Sequence, residues 1–346
     1  MKRRIVIAAV INLIGFSGFS QETNIYTFFM NVVNDHFKPP MIGFVNIAKG
    51  EHKGVQLGFI NWNAGNFKGI QMGMVNTLGG ELTGAQLAYI NTAIQQTNGI
   101  QAGFINTAMQ DKTGVQFGFI NTVKKEVRGA QFGFINTALQ SVYGAQIGFV
   151  NSAIHEFRGT QIGFVNLANR NKAGFQLGFI NYADSLEKGI PIGFLSFVRR
   201  GGYMAIEVGF SDFFPVTIGF KTGVEKFYTT LYLAYNPSAE SSGSRYASGF
   251  GFGSIIPIRK SFFFNPELQS FNTIEKKNNR QLTSFVPLFG LYLNRHFSIT
   301  AGPSVTWSAS YEENVLLKPV FNIIDFEIND DNRIFVGARA GIRYRF

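Results

Sequence analysis

The sequence has no cysteine, and it contains only 4 histidines and 2 tryptophans in 346 residues. Without cysteine, the chain has no disulfides, no thiolate chemistry and no lipid-anchored N-terminal cysteine. The few histidines, and the absence of acidic residues at the spacing of a calcium loop, predict no metal, no cofactor and no enzymatic activity. No stretch approaches the ~18 consecutive apolar residues of a transmembrane helix.

Basic residues outnumber acidic ones, but they are not clustered in one part of the sequence. The formal net charge is +10, yet three positive charges fall at Lys2, Arg3 and Arg4 and the others are scattered. This distribution predicts no nucleic-acid partner. Aromatic residues make up 15% of the chain, which also has 39 glycines, and this balance is typical of β-rich envelope proteins.

The first twenty residues have the pattern of a secretory signal peptide. The basic residues at 2–4 precede an apolar run at 5–16, and Gly18, Phe19 and Ser20 follow it. Residues 21–38 lie outside the repeats described next, and we expect them to cap the open end of a repeat domain.

Residues 39–200 consist of about eleven copies of a 15-residue repeat, for example GVQFGFINTVKKEVR at 114–128. The alternation of apolar residues at Val115, Phe117 and Phe119 indicates strands rather than helices. Fifteen residues suit one coil of a β-solenoid, and coils stacked ~4.8 Å apart would form a rod on the order of 50 Å long. We expect the glycine that opens each copy to form a coil corner.

Stacked coils place equivalent residues in ladders. We predict a structural ladder of asparagines, with a second one of glutamines from Gln56 to Gln176. An aromatic column, including Phe119 and Phe134, is expected to fill the core, although such an array could instead bind glycans. The predicted asparagine ladder contains Asn61, Asn76, Asn91, Asn106, Asn121, Asn136, Asn151, Asn166 and Asn181.

The repeat GxQxGFxN, followed by a small residue, resembles the short-period surface repeats of envelope proteins from spirochaetes and related didermal bacteria. The resemblance covers about half of the chain. It implies a location in the cell envelope and, from the family's description, exposure at the cell surface.

Residues 201–346 have a different pattern, eight segments of alternating polarity, which predicts an eight-stranded antiparallel transmembrane β-barrel. The predicted strands are 203–210, 215–222, 227–235, 248–258, 261–270, 282–293, 297–307 and 334–346. The alternation predicts a lumen containing Glu207, Lys221, Glu267, Arg339, Arg343 and Arg345 as an ion-pair network. Tyr344 and Phe346, on an amphipathic last strand, resemble the signal that outer-membrane barrels present to the barrel-assembly machinery.

These features predict an all-β, non-enzymatic outer-membrane protein. In this interpretation a small barrel, surrounded by outer-membrane lipid, anchors a solenoid that serves as a scaffold or docking surface for an unidentified envelope protein. An even number of strands would place the solenoid in the periplasm. The alternatives are a surface-exposed adhesin or glycan-binding repeat protein, and a lipid-modifying barrel enzyme; His296, the one histidine of the barrel segment, falls in a predicted periplasmic turn.

Overall fold

The computed structural model describes residues 24–238, 245–274, 280–310, 319–321, 323–329 and 332–346. The predicted signal peptide lies outside them. Every regular element in the described residues is a β-strand, which confirms the all-β prediction. No helix in these residues is long and apolar enough to span a membrane.

The chain forms two compact units, Met1–Gly118 and Phe119–Phe346. The boundary between the repeats and the barrel sequence lies elsewhere, at residue 200. The solenoid has about eleven turns of parallel strands. Its strands in the first unit are β1 (Ile25–Tyr26), β2 (Met30–Val33), β3 (Met41–Ile42), β4 (Val45–Ala48), β5 (His52–Leu57), β6 (Ile60–Asn63), β7 (Phe67–Leu78), β8 (Leu82–Ala93), β9 (Thr97–Ala102), β10 (Ile105–Ala108) and β11 (Lys112–Phe117). Those in the second unit are β12 (Ile120–Val123), β13 (Val127–Phe132), β14 (Ile135–Ala138), β15 (Val142–Ile147), β16 (Val150–Leu186) and β17 (Ile190–Arg200).

Four coils contain a six-residue strand and a four-residue strand (β5 with β6, β9 with β10, β11 with β12 and β13 with β14), and equivalent residues of successive coils are paired. In the first unit Gly114 pairs with Gly99, and in the second Asn136 pairs with Asn151. Strand β2 pairs with β4 in the same parallel register, Asn31 with Asn46. The segment expected to form a cap therefore already has the conformation of a coil.

The expectation that the first glycine of each repeat forms a corner is wrong. Gly144 lies inside strand β15 with φ 145°, and the turn instead falls at Gly148 and Phe149. A Cβ at Gly144 would lie 1.9 Å from the carbonyl oxygen of Gly129. Glycine is therefore required both by its φ angle and by the close approach of the preceding coil.

The barrel is a closed sheet of eight antiparallel strands, joined by the pairing of its first and last members. This closure confirms the predicted barrel, and one predicted strand, 227–235, has the observed bounds. The barrel strands are β18 (Tyr203–Ser211), β19 (Val216–Val224), β20 (Phe227–Tyr235), β21 (Tyr246–Gly253), β23 (Phe262–Thr273), β24 (Arg280–Tyr292), β25 (Phe297–Ser310) and β27 (Asn332–Arg345), with β22 (Ile256–Pro257) and β26 (Ile324–Asn329) as additions at the sheet's margin.

Candidate functional site

The asparagine ladder is the most regular feature of the solenoid interior. Asn136 donates from Nδ2 to Oδ1 of Asn151 at 2.9 Å and to the carbonyl oxygen of Ile147 at 3.0 Å. Each amide therefore bonds both to the next side chain and to the backbone near a corner, which satisfies groups that water cannot reach. The predicted members are all fully buried: Asn61, Asn76, Asn91, Asn106, Asn121, Asn136, Asn151, Asn166 and Asn181.

The glutamine ladder runs beside it in the opposite direction. Gln146 donates from Nε2 to Oε1 of Gln131, in the preceding coil, at 2.8 Å, whereas Asn151 donates to Asn166, in the following coil, at 2.9 Å. Hydrogen bonds in a chain polarise one another, and two opposed chains partly cancel each other's dipoles. The two ladders therefore pair their buried amides through chains of hydrogen bonds that run in opposite directions.

The aromatic column does not fill the core, so that expectation is wrong. Its rings lie on the surface at the coil corner, and Phe164, for example, is 43% exposed. Neighbouring rings are parallel, with centroids 4.8–4.9 Å apart from Phe119 to Phe194. Phe119 lies at the bend between β11 and β12, where strand alternation does not decide the direction of a side chain. We call the column formed by Phe119, Phe134, Phe149, Phe164, Phe179 and Phe194 the aromatic edge.

Each coil reverses its polarity halfway across. Near the aromatic edge the interior consists of amides such as Gln146, while the outward neighbour Ile147 is apolar and exposed. Across the coil the interior is apolar, as at Val123 and Val127, and the outward residues are charged, as at Lys124 and Lys125. One half is therefore apolar outside and polar inside, and the other half has the arrangement of a water-soluble protein. We call the corner at residues 124–126, with its equivalents at 139–141, 154–156, 169–171 and 184–186, the variable edge.

The variable edge carries ion pairs that differ from coil to coil. Glu156 accepts a hydrogen bond from Arg158 at 2.9 Å and pairs with Lys172 at 2.9 Å. Asp184 pairs with Arg199 and with Arg200. The hydrogen bond from Lys172 is the largest influence that lowers the pKa of Glu156, and the one from Arg199 does the same for Asp184.

The barrel lumen contains a compact network of charges. Lys221 lies 2.7 Å from Glu267 and 3.6 Å from Glu207. Arg343 donates to Glu207 at 2.6 and 2.9 Å and to Glu267 at 3.3 Å. Arg339 lies 3.5 Å from Glu207. The network thus links strands β18, β19, β23 and β27 and is fully buried.

Neutral side chains complete this network. Tyr232 donates to Glu267 at 2.7 Å, and Tyr228 also bonds to that carboxylate. Gln269 bonds both Glu267 and Arg339, at 2.7 and 2.8 Å. Sequence reasoning did not include the tyrosines, although their inward parity on β20 was available. Chemically the arrangement pairs three cations with two carboxylates and so fastens distant strands together.

Three residues singled out from the sequence lie at one end of the barrel, outside this network. Arg345 pairs with Glu225 and donates to the carbonyl oxygen of Gly202 at 3.3 Å. Tyr344 and Phe346 are exposed on the outer surface, with their rings in edge contact at 5.4 Å.

Other titratable groups have structural surroundings. His52 is buried and its Nδ1 lies 2.7 Å from the carbonyl oxygen of Phe37, and burial lowers its pKa. His296 lies in a barrel turn, 3.0 Å from the carbonyl oxygen of Arg345. Asp325 and Glu327 pair with Arg333. Within the described part of the chain no group of three or more His, Cys, Asp or Glu could hold a metal ion.

Comparisons with protein-family models, with curated proteins and with solved structures find no match to this chain. The architecture therefore defines the protein: a parallel β-solenoid followed by a closed eight-stranded β-barrel.

Proposed function

We propose that this chain is a non-enzymatic outer-membrane protein in which the barrel anchors the solenoid as a scaffold for envelope proteins. The observation that carries the proposal is the polarity of the closed barrel. Outward side chains such as Val208, Leu233 and Phe289 are apolar and exposed, while the inward ones are polar and buried. This is the arrangement that a bilayer requires of a barrel.

The lengths of the connections support a periplasmic solenoid. At one end of the barrel, Glu225 and Lys226 alone connect β19 to β20, residues 293–296 connect β24 to β25, and residues 254–261, which include β22, connect β21 to β23. At the other end the connections at 236–245 and 311–331 are longer, and those at 212–215 and 274–279 are the exceptions. Outer-membrane barrels have short periplasmic turns and longer external loops. The solenoid joins β18 at the short-turn end.

The variable edge is the docking surface in this proposal. Its charges differ between coils, as at Lys124, Lys125 and Glu126, whereas the ladders repeat the same residue. A surface that changes along the solenoid can select one partner and one register through charge complementarity. The aromatic edge offers no such variation.

The anchor is tested by refolding the full chain with and without phospholipid vesicles. We expect heat-resistant, protease-resistant barrel only when vesicles are present, since the outward apolar residues need lipid. A folded, monodisperse chain in plain buffer would contradict the membrane assignment.

Docking is tested by co-purification from the native membrane in mild detergent. Reversing charge with Lys124→Glu and Lys125→Glu should release the partner. The matched control, Arg259→Glu with Lys260→Glu, changes exposed cations in a barrel turn and should leave the partner bound. Equal recovery of the partner with both double variants would contradict docking at the variable edge.

The exposed aromatic rings favour a second candidate, a glycan-binding adhesin, but only in part. Sugars stack on ring faces, and here the planes of neighbouring rings are 0–7° apart, so that each face is covered by the next ring. An epitope inserted between Lys124 and Lys125 distinguishes the two functions. Labelling on intact cells would establish the adhesin, and labelling only after permeabilisation of the outer membrane would support the scaffold.

A further inference from the structure

The last coil of the solenoid ends against the outer wall of the barrel. The backbone N–H of Ser196 donates to Oγ1 of Thr222 at 3.2 Å, and Oγ1 of Thr229 donates to the carbonyl oxygen of Phe194 at 3.0 Å. In a parallel solenoid these backbone groups point along the axis, towards the place of a further coil. The outward hydroxyls of Thr222 on β19 and Thr229 on β20 occupy the position of that further coil. They form hydrogen bonds with backbone groups of β17 that would otherwise lie at an open strand edge.

This contact fixes the direction of the neighbouring coils. Because the open edge of β17 faces the barrel wall, the solenoid axis runs outward from that wall. A barrel that crosses a membrane has its wall perpendicular to the membrane plane. The coils of the second unit that precede β17 therefore extend sideways from the barrel, along the membrane, rather than away from it.

The aromatic edge continues onto the outward surface of the barrel. Phe194 stacks on Phe250 of β21, with ring centroids 5.2 Å apart and planes at 9°. Phe250 pairs with Leu231, two residues farther from the short-turn end than Thr229. Within the last coil the aromatic corner is therefore the part nearest the middle of the barrel wall.

The charged side of the same coil lies in the opposite direction. Arg199 and Arg200 follow Phe194 by five and six residues, a distance of roughly 15–20 Å along an extended strand. An interfacial segment buries its apolar face ~5–10 Å into a leaflet and leaves its charged face in water. The half of each coil that is apolar outside would suit the leaflet, and the half with charged outward residues would suit water.

From these observations, and resting on the membrane barrel proposed above, we propose that the aromatic edge is immersed in the lipid leaflet next to the barrel. The occupant of this exposed apolar surface is thus lipid, continuous with the lipid around the barrel wall. The variable edge then faces the aqueous compartment, where a protein partner has access to it.

Single cysteines in the full chain, which has none of its own, test this proposal. Phe164→Cys probes the aromatic edge, Arg170→Cys the variable edge of the same coil, and Leu233→Cys the outward barrel wall. Each variant is labelled with a small environment-sensitive fluorophore and reconstituted in phosphatidylglycerol–phosphatidylcholine vesicles. Quenching is measured with doxyl-labelled lipid and with aqueous iodide.

We expect the ratio of lipid to iodide quenching at Phe164→Cys to approach that at Leu233→Cys and to exceed that at Arg170→Cys by ~tenfold. Iodide quenching at Phe164→Cys, with lipid quenching preserved at Leu233→Cys, would overturn the inference and leave the barrel assignment standing. Protection of Phe164→Cys from both quenchers would mean that a second copy or another protein covers the edge, which also overturns it. Loss of lipid quenching at Leu233→Cys would overturn the membrane barrel itself.

Discussion

The barrel and the half of the solenoid near the aromatic edge both place polar groups inside and apolar groups outside, but their interiors differ in kind. Near the aromatic edge the solenoid interior is neutral, and each amide, such as Asn136, repeats the bonds of its neighbours. The barrel interior is charged, and each of its contacts, such as Lys221 with Glu267, occurs once. A repeated neutral interior distributes its stability over many equal rungs, whereas a single ionic network depends on every member.

The largest expected effect is in the barrel network. Replacing Glu267 by Gln keeps the shape of the side chain but leaves Lys221, Arg339 and Arg343 with Glu207 as the one carboxylate among them. Uncompensated buried charge costs ~3–5 kcal/mol. We expect the urea midpoint of the vesicle-reconstituted chain to fall accordingly.

The matched control is Glu225→Gln, which removes the partner of Arg345 at the barrel end. That carboxylate is 44% exposed, so water screens the pair and the expected loss is below ~1 kcal/mol. Similar losses for Glu225→Gln and Glu267→Gln would show that the lumen is hydrated and that the contrast between the two interiors is smaller than described.

The solenoid ladder should be less sensitive. In wild type, Asn121 donates to the carbonyl oxygen of Phe132 and to Asn136, both at 2.9 Å. Asn121→Leu removes these two donors, and the expected cost is ~1–3 kcal/mol. Lys124→Leu, at the exposed variable edge, should change stability by less than ~0.5 kcal/mol. Equal melting temperatures for the two variants would argue against a structural role for the ladder.

Periodicity in the sequence was sufficient to predict the solenoid, the barrel and the bounds of one barrel strand, β20. It could not show which face of a coil lies inside, because alternation groups residues by face without giving the surroundings of either face. Phe119 was therefore expected in the core, although Gln116 and Asn121 are the buried residues. The contact of Phe194 with Phe250 could not be predicted from periodicity either, because it joins two segments that have no common repeat.

Lys112 is an exception to the neutral interior of the solenoid, because it places a buried cation in the apolar half of a coil. It is buried, its Nζ donates to the carbonyl oxygens of Gly99 and Thr113 at 2.5 and 3.0 Å, and desolvation lowers its pKa to about 8. The unfolded chain, with a pKa near 10.5, holds this proton more tightly. The free energy of unfolding should therefore rise by roughly 1–3 kcal/mol between pH 8 and 10.5.

Lys112→Met supplies the comparison. Valine, leucine and phenylalanine occupy the equivalent position in other coils, for example Leu82, so the variant should be more stable than wild type at pH 7 and should lose this component of the pH dependence. The difference between wild type and Lys112→Met should shrink as the pH rises past 8. A difference that stays constant from pH 7 to 10.5 would mean that Lys112 keeps its ordinary pKa.

The smallest expected effect is at the aromatic edge, where the exteriors of the two regions are most alike. Phe149 stacks on Phe134 and Phe164 at 4.8 and 4.9 Å, and each such pair contributes ~0.5–1.5 kcal/mol beyond the area it buries. Phe149→Met removes both ring pairs but keeps a flexible apolar side chain that can fill the gap, as Met74 does in the equivalent position of another coil. We expect thermal unfolding to show a loss of ~1 kcal/mol or less. Phe149→Asp separates packing from immersion, because its carboxylate would reduce lipid quenching at a neighbouring Phe164→Cys label if the edge lies in a leaflet, whereas Phe149→Met would leave that quenching unchanged.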